Sequence, residues 1–84
     1  MSADELRRLK VDKVADARDI PCPGPLLEAQ RAMQSVPMAG IIEVVSSDIA
    51  TSLDIPVWAE KAGHQYLGMI TEPGVWRLYV KRGT

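Results

Sequence analysis

The chain is poor in cysteine and histidine and has no long apolar run, and each scarcity removes a class of function. Cys22 is the only cysteine and His64 the only histidine in 84 residues. A single thiol rules out an internal disulfide, and with it a thiol–disulfide oxidoreductase that resolves its own intermediate. One Cys and one His, far apart in sequence, fall short of the four ligands of a usual zinc site, so no metal is expected. No stretch is long enough to span a bilayer, so no membrane association is expected. The opening segment, Met1 to Lys10, lacks the apolar core of a secretory signal. The expected location is therefore cytoplasmic, where a free thiol stays reduced. Ten basic and eleven acidic residues leave a net charge of −1. No run of Lys and Arg is interleaved with aromatics, and direct nucleic-acid binding is not expected.

What the chain does have is consistent with one small domain over residues 1–84. It is 46% apolar, without low-complexity tracts or internal repeats. Residues 1–10 read as a polar extension, frayed or briefly helical. A chain this short has a thin core and no disulfide to brace it, so a sheet covered by helices on one face must supply most of the stability.

Cys22 stands in Cys22-Pro23-Gly24-Pro25, immediately before an amphipathic pattern. The commonest role of a free cysteine is that of a small buried hydrophobe. Two prolines and a glycine favour a surface turn instead, where the backbone can be solvated. Pro25 suits the first helical position, because the N–H it lacks has no partner there, and Pro23 restricts Cys22 to an extended backbone. A thiol at a helix start meets unpaired N–H groups and partial positive charge, which favour the thiolate. Such a group can act as a covalent nucleophile or carry sulfur as a persulfide. Hydrolysis by the first route normally requires a base, and no motif places His64 near Cys22.

The pattern along the chain predicts βαβαββ. Val11 to Ala17 is the first strand. After Cys22, Leu26, Ala29, Met33 and Val36 recur at helical spacing, with Glu28, Arg31 and Gln34 off the stripe. Residues 37–40 end that helix, and Ile41 to Val45 reads as a buried strand, central and parallel to the first. A second helix, capped by Thr51 or Asp54, ends at Gly63. Two further strands, Tyr66 to Thr71 and Val75 to Lys81, are joined by a Glu72-Pro73-Gly74 turn of type II. In the last strand Trp76, Leu78 and Val80 alternate with Arg77, Tyr79 and Lys81, one face apolar and the other wet. The expected fold class is a two-layer α/β sandwich, a four-stranded mixed sheet with two helices on one face.

Several of these residues together resemble the TusA/SirA family of small sulfur-carrier proteins. They are Val14-Ala15-Asp16-Ala17-Arg18, the Cys-Pro-x-Pro element Cys22 to Pro25, Asp48-Ile49-Ala50-Thr51 with Asp54-Ile55-Pro56, Gly63-His64, and the closing strand pair to Lys81-Arg82. The resemblance implies the same two-layer architecture. It also implies that Cys22 accepts sulfane sulfur from a donor protein, a cysteine desulfurase or rhodanese-like enzyme, and relays it to an acceptor protein. No cofactor is implied, and the carrier is expected as a monomer forming transient complexes. Family members serve tRNA thiolation, molybdenum cofactor supply or dissimilatory sulfur oxidation. This chain departs from the family's common Asp-Asp-Pro with Ser47-Asp48-Ile49, and the pathway and partners stay unassigned. The alternative is a non-catalytic regulatory protein–protein module of the same fold.

Other residues carry weaker functional readings beside ordinary ones. Arg18 is either an anion-binding guanidinium or a solvated arginine. Asp48 and Asp54 suit acid–base work less than service at the start of the second helix. His64, at that helix's end, sits where the dipole favours an imidazolium, and a structural role is the simpler expectation. Leu53 and Val57 lie opposite the Ile55, Trp58, Ala59 and Ala62 face; they either cover a loop or the N-terminal extension, or form a patch for partner docking.

Overall fold

Two amphipathic helices and four strands take the order read from the sequence, and a short helix precedes them. The computed structural model describes residues 1–21 and 23–84. Helix α1 spans Ala3–Arg7, strand β1 Lys13–Ala17, helix α2 Gly24–Gln34, strand β2 Ile41–Ser46, helix α3 Thr51–Ala62, strand β3 Gln65–Glu72 and strand β4 Val75–Lys81. The sheet order is β1-β2-β4-β3. β1 runs parallel to β2, and the other two pairings are antiparallel. β2 is central, as its continuous apolar run requires.

The main core lies between the sheet and α2 with α3. Ala29 and Met33 of α2, Val36 just beyond it, and Ile55 and Ala59 of α3 pack on Ile42, Val44, Leu78 and Val80. Leu26 and Trp58 are partly buried against the same cluster. Each fully buried aliphatic side chain here is worth roughly 1.5–3 kcal/mol. Gly63 closes α3 with φ 81°, its N–H donating to the carbonyls of Ala59 and Glu60. Gly74 has φ 77°, the backbone a type II turn needs in its third residue.

The expected α/β sandwich of a four-stranded mixed sheet with two helices on one face is found, and the second sheet face carries one addition. α1 lies on it, burying Leu6 against Ile70 and Tyr79, with Leu9, Val11 and Leu67 at the margin. The opening residues are thus a helix, held by a reciprocal capping box between Ser2 and Glu5. Tyr79, expected on the wet face, is buried, and its hydroxyl donates to the Glu43 carboxylate. Arg77 completes the network, Nη1 to Glu43 at 3.0 Å and Nε to Glu72 at 2.6 Å. β1 begins at Lys13, not Val11, because Val11 turns towards the α1 cluster.

Candidate functional site

Parallel pairing of β1 and β2 puts the starts of α2 and α3 at the same end of the sheet. Ala17 pairs with Ser46, so the chain leaves both strands side by side, one segment leading to Cys22 and α2, the other to α3. Cys22 lies outside the described residues, as does the extended backbone expected of it. The site is therefore defined by what flanks it.

α2 begins two residues after Cys22. Pro23, at the N-cap with φ −94° and ψ 18°, offers no side-chain cap, and the first turn has no acidic residue. Pro25 occupies the second helical position, one later than expected, because Gly24 is already helical and its N–H donates to Pro21 O at 2.8 Å. The second position also leaves an N–H without an intrahelical acceptor, so the imide ring costs nothing there. Pro25 is fully buried. Gly24 is needed for space: a Cβ on it would collide with Ile20 Cγ2. Ile20 thereby folds over the helix start and draws the loop onto it.

The opposing segment is built from hydroxyls and one carboxylate. Ser46 Oγ and Thr51 Oγ1 are 2.8 Å apart in a fully buried pair. Ser46 Oγ also accepts the Asp48 N–H at 3.0 Å. Asp48 Oδ1 accepts the Ala50 N–H at 2.9 Å, an Asx turn into α3. The N-cap of α3 is Ala50, without a side-chain cap. Neither Thr51 nor Asp54 takes that place: Thr51 is drawn inward by Ser46, and Asp54 lies further along the first turn.

The remaining candidates separate clearly. Arg18 forks onto Asp16, Nε to Oδ1 at 2.9 Å and Nη2 to Oδ2 at 2.7 Å. That pairing holds the Asp16 carboxyl at about 2, well below its usual 3.8. His64 lies at the other end of α3, in a cleft of about 290 Å³ shared with Gln30, Met33 and Gln34 of later α2. Its Nδ1 accepts the Gly83 N–H at 3.0 Å. Burial and Arg82 lower its pKa, against the rise expected from the helix end, so the ring is a neutral structural acceptor. Leu53 and Val57 cover neither a loop nor the N-terminal helix: they are 72% and 52% exposed. With Ile49, 59% exposed, they form a stripe at four-residue spacing. Beside it Leu26, Asp54, Val57, Trp58 and Lys61 line a largely apolar cleft of about 330 Å³. Among the described residues no group of His, Asp and Glu is placed to hold a metal. No helix of those residues is long and apolar enough to cross a membrane.

Sequence reasoning marked Ser47 only as a departure from the family's usual aspartate and did not foresee its contact. The Asp19 N–H donates to Ser47 Oγ at 2.8 Å, across 28 residues of sequence, tying the segment that leads to Cys22 to the one that leads to α3. No local pattern encodes such a contact.

The fold and this pair of neighbouring helix starts define a small α/β domain whose single cysteine, Cys22, falls two residues before α2 in sequence. The chain belongs to the TusA family: the profile described as Sulfurtransferase TusA matches residues 13–82. A candidate sulfur carrier protein of Archaeoglobus fulgidus is 42% identical over 69 residues, covering 82% of this chain and 94% of that one. The sulfur carrier protein TusA of Pseudomonas savastanoi pv. phaseolicola is 25% identical over 80 residues, 95% of each chain. The crystal structure of a SirA-like protein from Desulfitobacterium hafniense superposes with a TM-score of 0.74 at 23% identity, covering 86% of this chain and 99% of that one. That likeness establishes the shared fold.

Proposed function

We propose that this chain carries sulfane sulfur as a persulfide on Cys22 and passes it between proteins. The observation that supports it is the uncapped start of α2. α1 has a capping box with Asp4 and Glu5 in its first turn, and α3 has Asp54. α2 has neither a capping side chain on Pro23 nor an acid. A helix start in this state favours a nearby anion by about 0.3–1 kcal/mol, and both a thiolate and a persulfide are anions.

In the forward step the Cys22 thiolate attacks the outer sulfur of a donor persulfide. A new S–S bond forms on Cys22, the donor's S–S bond breaks, and the donor sulfur leaves as a thiolate with the bonding pair. No net oxidation occurs, and the reverse attack by an acceptor thiolate discharges the carrier. The donor would be a cysteine desulfurase or rhodanese-like protein. The acceptor would belong to tRNA thiolation, molybdenum cofactor supply or sulfur oxidation. A cytoplasmic monomer forming transient complexes suits this work, and residues 1–84 would act as one domain. The stripe Ile49, Leu53, Val57 and its cleft would supply the weak apolar contact such complexes need.

Intact mass spectrometry tests the central step. The reduced protein and Cys22→Ser are exposed to polysulfide or to a persulfide-loaded sulfurtransferase, then treated with reductant. Added sulfur on wild type alone, reversed by reductant, is expected. An accessible thiol that gains none would point to the non-catalytic regulatory module.

A further inference from the structure

We infer that Ser47 is a positioning residue for the loop that carries Cys22: its hydroxyl pins that loop, at Asp19, to the end of β2, and the reactivity of the thiol depends on this tie. The inference rests on the persulfide reading for its purpose, though not for its geometry. Asp19 has φ 62°, in the left-handed region that side chains seldom occupy. A non-glycine residue is held there only when surrounding contacts compensate. Its N–H donates to Ser47 Oγ at 2.8 Å. Two further bonds of this loop are local and longer, Arg18 N–H to Asp16 Oδ1 at 3.2 Å and Ile20 N–H to Ala17 O at 3.3 Å. The Ser47 bond comes from a different element and ties the loop to the end of β2.

The next link runs through Ile20. Its side chain stands over Gly24 at the start of α2, so a displaced Asp19 carries with it the residue that seats the loop on the helix. Cys22 lies between Ile20 and Gly24 in sequence. Ser47 itself is exposed, and it does not belong to the main core. Its loss should therefore loosen the loop without unfolding the domain.

The test compares wild type, Ser47→Ala and Ser47→Thr in three measurements: Asp19 amide exchange by NMR, alkylation of Cys22 by iodoacetamide at neutral pH, and melting temperature. Ser47→Ala is expected to exchange Asp19 about tenfold faster and to alkylate about three- to fivefold more slowly, the effect of one lost hydrogen bond on a held conformation. Ser47→Thr, which keeps the hydroxyl, should restore both. Ser47→Thr should melt close to wild type, and Ser47→Ala should melt no more than about 8 °C lower, still as a folded protein under the assay conditions. Alkylation of Ser47→Ala at the wild-type rate or faster would overturn the inference. So would an Asp19 amide that exchanges freely in wild type, or a Ser47→Thr variant as slow as Ser47→Ala. Sulfur loading is measured on the same proteins. A wild type that alkylates normally but accepts no sulfur removes the persulfide reading and leaves the positioning result standing.

Discussion

Arg18 grips Asp16 at two points, with Nε 2.9 Å from Oδ1 and Nη2 2.7 Å from Oδ2. The fork lies four residues before Cys22 and neutralises the cation nearest to it in sequence. The hydrogen bonds from the Arg18 side chain and N–H hold the Asp16 carboxyl at about 2. The stabilisation is therefore present above the ordinary 3.8 and lost as pH falls through about 2. Both side chains are half exposed, so its size is small. Arg18→Ala should return the Asp16 midpoint towards 3.8 in an NMR carboxyl titration. Because the guanidinium is already paired, the same variant should alkylate at Cys22 within about twofold of wild type. A tenfold loss would place Arg18 in the sulfur site itself.

Tyr79 supports the opposite face of the sheet. Its hydroxyl donates to Glu43, which also receives Arg77 Nη1 at 3.0 Å. Tyr79→Phe leaves a half-buried carboxylate one donor short and should cost about 1–2 kcal/mol in urea unfolding at neutral pH. Burial, then the bond to Glu43, raises the phenol pKa above 10.0. Its stabilisation is thus complete below pH 10 and fades as pH rises through the higher folded value. The gap between wild type and Tyr79→Phe should narrow between pH 7 and pH 11. Tyr66, raised by burial alone, is common to both proteins and does not enter the difference. A gap independent of pH would mean that the phenol contributes only packing.

Leu6 separates stability from function. It is 1% exposed and is the buried residue of α1, seated against Ile70 and Tyr79. Leu6→Ala should cost about 2 kcal/mol, at the low end for a core leucine, because a terminal five-residue helix can fray without collapsing the sheet. Amide exchange should accelerate in α1 and the adjoining part of β3 before it does elsewhere. Sulfur loading of Cys22 should be unchanged, since α2 packs on the other sheet face. Loss of loading in a folded Leu6→Ala protein would show that the two faces communicate.

Most of the fold was legible because its signals are local. Helical spacing from Leu26 to Met33, a glycine at position 63 and Pro73-Gly74 between two alternating runs each specify their own element. What escaped was decided by partners elsewhere in the sheet. Alternation marks Tyr79 as outward-facing and cannot foresee a helix laid over it. Ser2 and Glu5 do spell a capping box, yet one buried leucine is too little periodicity to distinguish a helix from a frayed end. At α3 the buried Ser46–Thr51 hydroxyl pair moved the expected cap to Ala50. The start of α2 beside Pro25 was readable from four residues, whereas the Asp19–Ser47 tie exists only after two parallel strands have aligned.

Leu53 tests whether the exposed stripe has a use. It is 72% exposed, the most of the large apolar residues in the two main helices, and stands between Ile49 and Val57. An aspartate there meets solvent, and its negative charge lies in the first turn of α3, where the helix dipole accepts it. Leu53→Asp should therefore melt within about 3 °C of wild type. Against a protein donor the cost is different, because a docked partner would have to desolvate the new carboxylate. Transfer from a persulfide-loaded sulfurtransferase should fall at least tenfold in kcat/KM, carried mainly by KM. Loading by inorganic polysulfide, which needs no docking surface, should be unchanged and serves as the control. If both donors load Leu53→Asp at wild-type rates, the stripe is not the docking surface and the partner meets the carrier elsewhere. If both rates fall together, the substitution has disturbed the α2 start, and Ile49→Asp and Val57→Asp become the cleaner probes of the same face.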